Sequence, residues 1–233
     1  MGSTMDRILI FTYNAGYRHS YITTAVEILT KLGERTGIFE VYATEDLEEF
    51  NENTLNSFDV VVFLTSGEIP FSERQRNLFT EFIENGGGFI GVHNAADTLY
   101  SYTPYGEILG GYFHSHPWTQ EAVFIVEDPH HPSTKHLSKS FKVYEEIYVF
   151  KNWIGRNRTN VLISLDTSSV DLSKSPKDAV EYPMAWCHSY RNGRVFYTAF
   201  GHQTKRWREE WFQKHILGGI AWVLNKEIQL SNT

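Results

Sequence analysis

Residues 86–97, Gly-Gly-Gly-Phe-Ile-Gly-Val-His-Asn-Ala-Ala-Asp, constrain this chain more than any other stretch. Phe89 to Val92 form a short apolar run behind a glycine cluster, bounded by turn formers, and so predict a buried strand. The strand ends at His93, and the small Ala95 and Ala96 let the next segment pack close against it. This is the pattern of a nucleophile elbow, where a strand stops at a sharp turn and presents one side chain at the end of a sheet. Here that side chain is an imidazole in place of the expected serine or cysteine, which disfavours a seryl or cysteinyl covalent mechanism at this turn.

The surrounding pattern predicts an α/β fold. Arg7 to Tyr13 is a strand-like run ending in Asn14-Ala15-Gly16, and Ser20 to Leu32 carries apolar positions at helical spacing. Phe39 to Ala43, Asp59 to Leu64 and Gly88 to Val92 read as further strands, and Ser72 to Asn85 as a helix with Ser72 as N-cap and Gly86 just past its end. Apolar strands alternating with helices imply a mainly parallel sheet with helices on both faces and a ligand crevice at the carboxyl ends of the strands. From about residue 100 to 160 the pattern loosens into an elaboration over the sheet edge or the site, with strand-like pieces at Ala122 to Glu127 and Val143 to Phe150. Val161 to Leu165 is another strand, and Pro183 to His188 and Arg194 to Phe200 form a hairpin about Asn192-Gly193. A closing helix runs from about Trp207 to Leu224, its apolar positions mostly core. At 233 residues this is one domain, drawn at 5–230, with Met1-Gly2-Ser3-Thr4 reading as an appended leader ahead of Met5.

Composition narrows the function. Lys and Arg number 21 against 28 Asp and Glu, a net charge of −7 with no long basic run, which makes nucleic acid and anionic membranes poor partners. No apolar stretch approaches the roughly 20 residues of a membrane span. The single cysteine, Cys187, excludes an internal disulfide and a cysteine-based zinc site, and agrees with a cytoplasmic location; a signal peptide removed from the natural chain is compatible with it too. Six Trp and 13 Tyr suit either carbohydrate stacking or a core of large side chains.

The ten histidines matter by position. His19, His93 and His202 each follow a predicted strand, so the three converge on one crevice if the sheet closes as proposed. His114 and His116 share one face of an extended segment. His130, His131, His136, His188 and His215, with His114, read as surface, capping or core residues. Asp97 could orient His93, act as a base, or cap a turn. Of Glu145 and Glu146, strand alternation turns one inward as base or metal ligand, unless both are solvated on an edge strand. Neutral imidazoles serve proton transfer or a divalent metal such as zinc, with His19, His93, His116 and His202 as the available ligands.

Taken in order, Tyr13 to His19, Gly91 to Asp97, Gly110 to Phe113 with His116-Pro117, Asp128 to Pro132, Glu146 to Tyr148 and Gly193 to His202 resemble the ThuA-like (trehalose utilisation) family, itself similar in fold to class I glutamine amidotransferases. The resemblance implies a flavodoxin-like, three-layer α/β domain in which His93 holds the nucleophile position and His202 that of the triad histidine. It implies carbohydrate chemistry without a thiolate, acting on a glycoside or disaccharide already oxidised to a 3-keto sugar. A ketone at C3 makes the C2 proton acidic, so a base, an acid and an electrophile suffice for elimination at C1 followed by hydration. His93, His202, Glu146 and Asp97 are then the catalytic candidates, and Tyr17, His19, Asn94, Tyr112, His116, Trp118 and Tyr148 the candidates for the sugar pocket. Two other readings stay open: a non-catalytic sugar-binding or regulatory module, and a metal-dependent hydrolase of another small molecule. The sequence also leaves a homo-oligomer open.

Overall fold

In the computed structural model, which describes residues 5–227, the alternating strands and helices build one nine-stranded sheet. Its strands are β1 (Asp6–Phe11), β2 (Phe39–Thr44), β3 (Val60–Phe63), β4 (Gly88–Val92), β5 (Tyr112–Val126), β6 (Ser140–Lys151), β7 (Asn160–Leu165), β8 (Pro183–Tyr190) and β9 (Gly193–Thr198). The helices are α1 (Ile22–Thr36), α2 (Glu52–Leu55), α3 (Glu73–Glu84), α4 (Thr103–Leu109) and α5 (Glu210–Val223). The proposed leader, residues 1–4, and the last residues of the expected domain lie outside the described residues.

The strand order is β2-β1-β3-β4-β9-β8-β7-β5-β6. The first five strands are parallel to one another, and every pairing from β9 through β6 is antiparallel. The mainly parallel sheet expected from sequence is therefore corrected to a mixed one. A parallel pairing needs a long crossover, usually helical, and the connections among β5, β6, β7, β8 and β9 contain no α-helix, so these strands return antiparallel.

Helices cover both faces of the parallel half. Gly88 of β4 lies directly beneath α5, where an added Cβ would come 2.2 Å from Val223. Its neighbour Phe89 points the other way, its ring 5.0 Å from Phe79 of α3 and 6.0 Å from Tyr105 of α4. This alternation is why β4 reads as apolar throughout. Much of the aromatic content is core: Phe50 stacks on Phe71 and Phe63 on Phe79, and Trp118, Trp186 and Trp207 are fully buried.

Local signals set the helix ends. α1 runs one turn past Leu32 and stops at Gly37, whose left-handed backbone (φ 64°) turns its N–H onto the Gly33 carbonyl. α3 begins with a capping box: Ser72 Oγ accepts from Gln75 N, and Gln75 Oε1 accepts from Ser72 N. Replacing Ser72 by Ala is expected to cost about 1 kcal/mol, read as a lower urea midpoint; an unchanged midpoint contradicts the cap. The expected closing helix is shorter than its apolar pattern, because Trp207 sits in a 3₁₀ turn (Arg206–Arg208) ahead of α5.

The loosely patterned stretch from 100 to 160 contributes the longest strands, and these curl back over the carboxyl ends of the parallel ones. Phe150 of β6 packs edge-on against Trp186 and Tyr197, and Tyr148 lies against His93. The elaboration is thus part of the sheet and also one wall of the site.

Of the histidines read as surface, capping or core residues, three lie in the core. Burial pushes His131 and His188 down to about 4 and His215 to about 3. Free imidazole titrates near 6.5, so the unfolded chain binds more protons than the folded one below that pH. Stability is expected to be complete above about pH 6.5 and to fall as pH drops toward about 4, read as a falling urea midpoint. A flat profile across that window contradicts the burial of neutral rings.

Candidate functional site

Four side chains meet at the carboxyl ends of the strands, each delivered by a different segment. His93 follows β4 with a left-handed backbone (φ 45°), a conformation that costs a non-glycine residue about 1–3 kcal/mol and so requires support around it. That support is present: Tyr197 OH donates to the His93 carbonyl at 2.8 Å, and the Tyr148 ring lies 4.2 Å from the imidazole. His93 Nδ1 lies 2.7 Å from the Ala199 carbonyl, which can only accept. Nδ1 therefore carries the proton, and Nε2 presents a lone pair to the crevice.

His19 arrives on the loop after β1, which is held against the loop after β3. Ala15 N and Gly16 N both donate to Ser66 O, and Gly67 N donates to Asp97 O in the turn after β4. A Cβ on Gly67 (φ 76°) would fall 2.4 Å from Gly16 N, so only glycine allows this backbone approach. His202 follows β9 one residue after Gly201, and Glu146 comes from β6.

His93 Nε2, His202 Nδ1 and Glu146 Oε2 form a nearly equilateral triangle with sides of 3.1, 3.2 and 3.2 Å. With His19 they make a set whose donor atoms all lie within 4.8 Å of one another. Ligands at about 2.0 Å around a tetrahedral zinc ion stand about 3.3 Å apart, so the triangle has the edge length of such a site. Nδ1 of His19 is buried with no hydrogen-bond partner among the described residues. Burial and then the nearby His93 and His202 push His19 down to about 3, leaving its ring neutral and able to ligate. Burial alone would raise Glu146, but the hydrogen bond from His202 and the closeness of His93 outweigh it and hold the carboxyl well below its usual range. The same hydrogen bond to Glu146 raises His202 above ordinary imidazole against the effect of burial.

A model of the trehalose utilisation family, ThuA, matches residues 7–223. The chain belongs to the ThuA family. Among solved structures it is similar to a ThuA-like protein from Bacteroides uniformis, at 25% identity with 96% of this chain and 93% of that one covered and a TM-score of 0.73. A ThuA-like protein from Parabacteroides merdae is 18% identical, with 98% and 93% covered and a TM-score of 0.74. A cytoplasmic protein from Salmonella typhimurium LT2 is 12% identical, with 94% and 99% covered and a TM-score of 0.62. The last two likenesses show the fold alone. No curated protein matches the chain.

In this ThuA family member the remaining candidates scatter. His116 stands beside the cluster, half exposed, with Nδ1 3.6 Å from Glu146 Oε1, the oxygen turned away from the triangle. Tyr17 is mostly exposed and sets its ring edge-on to His19 at 4.8 Å. Tyr148 is buried against His93 and forms the floor of the site. Asp97 does not orient His93, whose ring is held by Ala199; its half-buried carboxylate accepts from Tyr100 OH at 2.7 Å, and burial raises its pKa.

Three sugar-pocket candidates are buried, with their polar atoms bonded inside the fold. Asn94 is fully buried and bonded to Tyr21 and Asn14. The Tyr112 hydroxyl is spent on Gly106 N and the Leu99 and Tyr102 carbonyls, and Trp118 is buried with its indole N–H donating to Asp171 O. The two glutamates do not divide into one inward and one solvated residue: Glu146 faces the histidines, and Glu145 is fully buried on the opposite face of β6, 3.1 Å from Arg206. Sequence reading missed Arg206, because Lys205-Arg206-Trp207-Arg208 looks like a solvated basic run. Cys187 takes no part in the cluster, and burial pushes its thiol up to about 12, which rules it out as a thiolate nucleophile near neutral pH.

Proposed function

We propose that this chain is a divalent-metal-dependent enzyme acting on a glycoside, with a 3-keto disaccharide as the substrate form. The observation that carries the reading is the triangle of His93, His202 and Glu146, with edges of 3.1–3.2 Å and His19 as a fourth donor. The carbohydrate class comes from the family, whose description is trehalose utilisation. His93 Nε2, His202 Nδ1, Glu146 Oε2 and a ring nitrogen of His19 would hold the ion. Such an ion, when bound, polarises a ketone oxygen or acidifies a water.

The chain's own groups divide the remaining work. Ala199 fixes the His93 ring and the tautomer of the neutral imidazole, so Nε2 faces the site without reorganisation. Tyr148 closes the site from below and excludes water from the His93 ring. His116 is the half-exposed group next to Glu146 and is assigned proton transfer at the sugar; Tyr17, over His19, offers an open aromatic face for a pyranose ring.

The test compares a 3-keto disaccharide with its unoxidised parent, using protein stripped with a chelator and protein reloaded with Zn²⁺. Turnover of the keto sugar alone, lost on stripping and restored by the ion, is the expected result. Turnover that survives stripping would transfer the chemistry to the histidines and Glu146 as metal-free acids and bases. Absence of turnover with both sugars and several metals would overturn the enzymatic reading.

A further inference from the structure

The residue before Glu146, Glu145, is held in a buried ion pair and also accepts a hydrogen bond from the residue before His202, Gly201. Glu145 and Arg206 are 0% and 1% exposed, and Arg206 Nε lies 3.1 Å from Glu145 Oε2. The same oxygen accepts from Gly201 N at 3.4 Å. Arg206 spends its other nitrogens on the Tyr144 carbonyl at 2.7 Å and on Glu209. Gly201 is held from its other side too, because Trp207 Nε1 donates to its carbonyl at 3.0 Å. Gly201 adopts φ 114°, a conformation open to glycine, as the chain leaves β9 toward His202.

From this geometry we infer that Arg206, acting through Glu145, is the positioning residue that sets His202 against Glu146. Strand alternation puts Glu145 on one face of β6 and Glu146 on the other, so the ion pair fixes the backbone on the far side from the reacting groups. Neither Arg206 nor Glu145 belongs to the donor set itself. Two segments 56 residues apart are thus joined one residue away from each site side chain, and Arg206 anchors the shared Glu145 carboxylate. A buried pair stabilises little relative to an apolar pair of the same shape, and fixing two segments in register is a use that outweighs its desolvation. The inference rests on the cluster being a functional site.

The decisive variant is Glu145→Gln with Arg206→Met, which removes both charges together and keeps the volume. Two readouts are taken on it: Co²⁺ affinity with its visible absorption spectrum, and hydrogen exchange of the Gly201 amide in metal-free protein. Cooperative unfolding as in wild type, Co²⁺ binding weaker by about 10–100-fold with an altered spectrum, and faster Gly201 exchange are expected. Wild-type affinity and wild-type exchange in the double variant would overturn the inference. If wild-type protein takes up no Co²⁺, the metal reading falls by itself; faster Gly201 exchange would still uphold the positioning role, and unchanged exchange would still overturn it.

Discussion

Glu146→Gln and His202→Ala are each expected to lower turnover of a 3-keto disaccharide by at least about 100-fold while leaving a folded protein. Glu146 is the one carboxylate in the four-residue set, and its Oε2 is common to both 3.2 Å contacts with His93 and His202. The amide keeps the shape and removes the charge, so it separates chemistry from packing. His202 is 29% exposed, and its truncation leaves no large void. His93 is a poorer probe, because its ring is fully buried against Tyr148 and an alanine there also empties a core position. Turnover within a few-fold of wild type in either variant would remove that residue from the chemistry.

The second large effect concerns stability. Arg206→Met alone is expected to destabilise the fold by about 3–5 kcal/mol, since it leaves the Glu145 carboxylate buried without its counter-ion. Adding Glu145→Gln should recover most of that loss. Equilibrium urea unfolding of both variants checks the pair. A single variant as stable as wild type would mean that the charge finds water, contrary to its full burial, and a double variant as unstable as the single would assign the loss to Arg206 packing.

The parts of the fold that sequence reveals are those with local causes. The strand at Phe89 to Val92 and the cap at Ser72 are each written in a few adjacent residues, and each stands where the pattern puts it; the expected hairpin forms too, but it turns on Arg191-Asn192, with Gly193 already in β9. The direction of pairing is not local. β5 to β8 look like any other strands, and only the length and content of their connections make them antiparallel. The same division holds at the site. His19, His93 and His202 were legible because each follows a strand, and the end of a strand in such a sheet is a fixed place.

Glu146 was half legible, since alternation says that neighbours part but not toward what. Glu145 and Arg206 escaped because each resembles a solvated charge until its partner is known. Tyr112, Trp118 and Asn94 resembled pocket residues for the opposite reason: polar aromatics and amides near a crevice serve equally as buried struts once their donors are satisfied internally.

The most direct test of the central claim is Co²⁺ titration of the chelator-stripped protein. One ion per chain, with the absorption of a low-coordinate nitrogen and oxygen site in wild type and its loss in His202→Ala, is the predicted result. No uptake by wild type, or equal uptake by His202→Ala, would contradict it.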